Sequence, residues 1–175
     1  MKTGLIIAAA FALGLAAACG GTVDNTGTPS DCQATLSGAV SGSGKCTIAI
    51  AYGNAANQLA STVTISTPIA GVQGSMSVID NTSTTLKSSY TASSNTSSAV
   101  ATLTTTDGQS GWSQGFQKSP AYAVGTFSES FTDLGSNVGT SSGGAYFNTH
   151  GIFDATLPAA TSTAATGTIT VHVTF

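Results

Sequence analysis

An antiparallel β-sandwich of about eight or nine strands is the fold this sequence predicts, of immunoglobulin-like or jelly-roll-like architecture. Three observations predict it. Apolar and polar residues alternate through much of the chain, which is the period of a half-buried strand. Thr, Val, Ile and aromatic residues fill those alternating stretches, and all of them suit a pleated surface. No long stretch carries apolar residues at helical spacing.

The elements follow in order. Strands are expected near 33–41, 45–52, 60–67, 72–79, 98–106, 111–117, 121–133, 145–157 and 164–175. Turn-forming residues separate them: Ser43-Gly44, Gly53-Asn54, Pro68, Asp80-Asn81, Asp107-Gly108 and Gly143-Gly144. Residues 54–59 are a candidate for one helical turn. The last strand is the clearest, with Ile169, Val171, Val173 and Phe175 on one face and Thr168, Thr170, His172 and Thr174 on the other. In 121–133, Phe127, Glu129 and Phe131 share a face. Residues 81–97 are polar and patternless, which fits a loop or an edge hairpin.

Three cysteines stand at positions 19, 32 and 46. A hairpin turning at Gly42-Ser43 would put Cys46 opposite Ala39, too far from Cys32 for a bridge, which needs Cα atoms within about 7 Å. Either the turn lies nearer Ala39, or the two strands belong to different sheets, or both thiols are free. The Cys32–Cys46 bridge is the favoured reading, and closing that loop contributes about 3 kcal/mol.

Charged residues make up only 6% of the chain, against about a quarter in an average protein. Hydrophobic residues make up 41%, and disorder ordinarily pairs low hydrophobicity with high charge, so the many Ser and Thr are read as the solvent faces of strands. Arginine is absent, and the lysines are Lys2, Lys45, Lys87 and Lys118. No basic stripe exists to neutralise phosphates, which argues against nucleic-acid binding.

Met1-Lys2-Thr3 gives a short positive start, and an apolar stretch runs from Gly4 to Ala18. It is shorter than the roughly 20 residues that span a bilayer and fits a secretory signal. Ala16-Ala17-Ala18 satisfies the small-residue rule of ordinary signal cleavage. Leu15-Ala16-Ala17-Ala18-Cys19 also resembles the lipobox of bacterial lipoproteins, although the family places Leu where Ala16 stands here. The resemblance covers residues 1–20 only. It implies a diacylglycerol-modified Cys19 as the new N-terminus, hence a membrane partner reached through the anchor. Gly20, where an Asp would imply inner-membrane retention, implies passage to the outer membrane. Cysteine parity agrees, because a lipidated Cys19 leaves an even pair. The expected organisation is a signal over 1–18, a lipidated cysteine and tether over 19–31, and a β domain over 32–175.

Residues that carry chemistry are sparse. Trp112, Gln114 and Phe116 in GWSQGFQ point one way on a strand, and with Tyr122 they form a candidate sugar-binding surface. The alternative is that the aromatics plug the core. His150 shares a strand face with Asn148 and Asp154, an arrangement that orients an imidazole or otherwise is only a polar outer face. His172 sits in a threonine row. Glu129 becomes a site candidate if its face is buried, since burial raises a carboxyl pKa. SGSGK, residues 41–45, fails the spacing of a phosphate loop. No cofactor or metal set is expected. The sequence therefore points to a non-catalytic structural or adhesive module of the cell envelope, facing a glycan or another envelope protein. The alternatives are a carbohydrate-binding module and, third, a hydrolase using His150, Asp154 and Glu129.

Overall fold

A computed structural model describes residues 32–53, 58–80, 90–93, 98–116, 125–141, 144–161 and 163–175. Residues 1–31, which hold the expected leader, Cys19 and the expected tether, and Tyr122 lie outside the described residues. So do 54–57, most of the proposed helical turn; Gln58 and Leu59 are already in a strand.

Alternation becomes strand wherever one face has a core to meet. Eleven strands are described: β1 (Gln33–Gly38), β2 (Gly42–Lys45), β3 (Thr47–Gly53), β4 (Gln58–Ile69), β5 (Val72–Asp80), β6 (Tyr90–Ser93), β7 (Ser98–Thr105), β8 (Gly111–Phe116), β9 (Thr126–Ser141), β10 (Gly144–Pro158) and β11 (Thr168–Thr174). Described pairings are antiparallel, in the order β2-β1-β11-β10-β3-β4-β5-β7-β8. On its other side β10 carries β9, and β6 lies beyond β9. The chain is all-β and sandwich-like. The N-terminal end of β10 pairs with β3, and its C-terminal half pairs with β11, so this one long strand joins the two walls. A bridge between Trp112 and Ala159, and Ala160 N–H donating to Gly111 O at 2.8 Å, bring the walls together again at β8.

One apolar cluster fills the interior. Ile48, Ile50, Val63, Ile65, Met76 and Leu103 come from one wall, and Leu36, Phe127, Phe153, Leu157, Ile169 and Val171 from the other. In β11, Ile169, Val171 and Val173 are buried between exposed Thr168, Thr170, His172 and Thr174, as the alternation predicts. Phe175 is buried as well, and its backbone N–H and C=O both bond Gly151.

Several boundaries differ from expectation for identifiable reasons. Ser43-Gly44 is no turn but the middle of β2. The hairpin turns around Ala39, since Gln33 faces Lys45 and Leu36 faces Gly42. That register sets Cys32 opposite Cys46 with Cα atoms 5.1 Å apart, and the disulfide forms. Gly44 is there because a Cβ would approach Ile69 Cγ1 to 2.8 Å. Pro68 does not end β4. It lies where the β4–β5 register slips between Ile65 and Ile69, one of the few places a ladder tolerates proline, and the turn follows at Ala70-Gly71. Asp107-Gly108 is a turn: Asp107 Oδ1 accepts from Thr105 Oγ1 at 2.6 Å and from Gln109 N–H at 3.0 Å. The Thr105 bond, then the Gln109 bond, hold that carboxyl below its usual range. Within the polar 81–97 stretch, β6 pairs with β9.

Candidate functional site

On β8, Trp112 pairs with Leu103, which is fully buried, and Gln114 pairs with buried Ala101. That register turns Trp112 into the core, where it is only 4% exposed. A stacking platform must offer a ring face to solvent, and Trp112 does not. Gln114 is half-buried on the same side. The Phe116 side chain and all of Tyr122 lie outside what is described. The surface proposed for Trp112, Gln114, Phe116 and Tyr122 thus loses its tryptophan to packing.

Glu129 takes the opposite course. It lies on β9 opposite Phe153, between buried Phe127 and Phe131, and is 1% exposed. Ser61 on β4, across the interior, donates its hydroxyl to Glu129 Oε2 at 2.7 Å. Among the described residues Oε1 has no hydrogen-bond partner. Desolvation raises the carboxyl pKa to about 7, and the Ser61 bond opposes that rise. A neutral carboxylic acid is the form this environment favours, since an ion would face the full cost of transfer from water.

The outer face of the other wall holds the second polar assembly. Strand pairing aligns Ser43, Thr35, His172, Asp154 and Ser128 in one row across β2, β1, β11, β10 and β9. Asp154 Oδ1 and His172 Nδ1 are 2.7 Å apart, and each side chain is about half exposed. Thr35 Oγ1 and Ser43 Oγ are hydrogen-bonded at 3.1 Å. Beside Asp154 lies a recess of about 200 Å³, lined by Thr126, Ser128, Asp154, Thr156 and Thr170, with Phe127 and Ala155, whose side chains are buried in the core, at its floor.

His150 is exposed on the same outer face as Asp154, as alternation predicts. Four residues along a strand separate them by about 13 Å, however, and the partner of Asp154 is His172. Opposite His150 on β9 stands Asp133. Glu129 points inward and Asp154 outward, so His150, Asp154 and Glu129 do not assemble into one hydrolytic centre. Among the described residues no three His, Cys, Asp or Glu side chains gather where a metal ion would be held. The Asp154–His172 pair had no signal in the sequence, because 18 residues separate its members and only the β10–β11 register joins them.

No family model, curated protein or solved structure matches the chain.

Proposed function

We propose that this is an exported, lipid-anchored protein of the cell envelope whose β domain serves a structural or adhesive role without catalysis. The observation that carries the reading is the Cys32–Cys46 disulfide. It accounts for two of three cysteines and leaves Cys19, at the end of the apolar leader, for the lipid. Disulfides belong to oxidising compartments, which agrees with export. Acyl chains at Cys19 would contribute about 0.8 kcal/mol per buried CH₂, so two or more hold the domain stably at a membrane, with 20–31 as its tether.

An adhesive role draws support from the outer faces. Thr47, Thr64, Ser75, Thr102 and Ser113 form one transverse row across β3, β4, β5, β7 and β8. Thr62 and Ser77 are hydrogen-bonded at 3.0 Å in the next row. Short hydroxyl side chains lose little rotamer entropy on contact and suit neutral polar partners.

Metabolic labelling of the full chain in a Gram-negative host with an alkynyl fatty acid tests the anchor. Wild type should carry the label and sediment with membranes, and Cys19→Ser should be unlabelled. An unlabelled wild type in the soluble periplasmic fraction overturns the proposal.

A further inference from the structure

We propose that the recess beside Asp154, on the outer face of β9, β10 and β11, is a binding site for a neutral polyhydroxylated ligand, a sugar ring of a glycan. The inference rests on the adhesive reading for its setting and names the partner class that reading left open.

The lining sets the chemistry. Four hydroxyl-bearing residues, Thr126, Ser128, Thr156 and Thr170, line the recess together with Asp154, and its accessible surface is more apolar than polar, as the faces of a sugar ring also are. Each hydroxyl both donates and accepts, whereas an ionised carboxylate only accepts. A ligand that satisfies the set must therefore offer several groups that do both, and a sugar ring edge does. His172 engages Asp154 Oδ1 at 2.7 Å and so fixes the carboxylate, leaving Oδ2 as acceptor for a ligand hydroxyl. Hydrogen bonds to an ionised acceptor are about twice as strong as neutral ones, so Asp154 carries most of the selectivity.

Charge narrows the class further. No residue of the lining is a Lys or Arg, so an anionic ligand would meet the Asp154 carboxylate with no fixed positive charge in the recess to hold it. A compact cationic ligand would engage Asp154 but offers donors only, whereas each hydroxyl both donates and accepts. Size agrees: about 200 Å³ is below the roughly 300–1,000 Å³ of pockets for drug-sized molecules, so the recess takes one ring of a longer chain. Phe127 and Ala155 are paired in the ladder between β9 and β10, so the backbone floor of the recess is fixed by the sheet.

The experiment uses the full chain in a polyoxyethylene detergent, which has no sugar headgroup. Saturation-transfer NMR is recorded with cellohexaose, maltohexaose, chitohexaose and mannohexaose, for wild type, Asp154→Asn and Thr156→Val. At least one oligosaccharide should bind saturably, and each substitution should weaken it about tenfold or more. Both positions are at the surface, and circular dichroism confirms that the variants fold. The proposal is overturned if no oligosaccharide binds tighter than about 10 mM. It is also overturned if the folded Asp154→Asn protein binds like wild type, or if putrescine displaces the sugar as a better ligand. Loss of fatty-acid labelling at Cys19 would remove the anchor and leave these results unchanged, so the two proposals fail separately.

Discussion

At the scale of single residues, Glu129 makes the strongest physical statement. It is a buried carboxyl that, among the described residues, accepts a hydrogen bond from Ser61 on one oxygen and has no partner on the other. Its pKa rises from 4.5 in the unfolded chain to about 7 in the fold. Between those values the folded state holds a proton that the unfolded state has released, so stability falls as pH rises. The contribution is fully present below pH 4.5 and is lost on passing about 7. At 1.36 kcal/mol per pKa unit the loss is about 3 kcal/mol. Urea unfolding from pH 4.5 to 8 should show that decline for wild type, and Glu129→Gln should remove it. Gln keeps an acceptor for Ser61 and cannot ionise. Parallel pH profiles for the two proteins would mean that Glu129 is not buried as described. The sequence made Glu129 conditional: its company with Phe127 and Phe131 was legible, but which face of β9 meets the core was not.

At the scale of elements, the hairpin of β1 and β2 is held by its own covalent closure. β2 has four residues, two of them glycines, and offers little apolar surface of its own. The disulfide closes a sequence separation of 14 residues, for which chain-entropy reasoning gives about 3 kcal/mol. The Cys32→Ala/Cys46→Ala double variant should lose that amount in equilibrium unfolding and should no longer respond to a reductant. A loss under about 1 kcal/mol would show that packing of Gly42 and Gly44 against β4 suffices without the bridge. The same hairpin shows what sequence can and cannot say. The existence of strands such as β7, β8, β10 and β11 was legible because their alternation has the period of the pleat. The role of a glycine was not legible: Gly44 serves a close approach to Ile69, and a one-dimensional reading takes it for a turn. Register is the larger gap. It decides that Trp112 faces inward beside Leu103 and that His172 meets Asp154, and neither follows from the spacing of residues within one strand.

At the scale of the whole molecule, the scarcity of charge becomes a property. Charged residues are 6% of the chain, and the Asp154–His172 contact is about half exposed on each side. Exposed pairs contribute about 0–1 kcal/mol and are screened by salt. Stability therefore rests on the apolar interior shared by both walls, on the backbone ladder and on the disulfide. Such a fold should be nearly indifferent to ionic strength yet responsive to solutes that act on burial. Raising sodium chloride from 20 to 500 mM should shift the unfolding free energy by less than about 0.5 kcal/mol at pH 7. Sodium sulfate at matched ionic strength should stabilise measurably, because it is excluded from protein surface and strengthens effective burial. A large loss in sodium chloride would mean that ion pairs dominate the fold. An equal gain in both salts would mean that screening of repulsion among the acidic groups, seven in the whole chain, outweighs the apolar term. A domain that carries so little surface charge can keep the hydroxylated outer faces of its strands unchanged across wide changes in external salt.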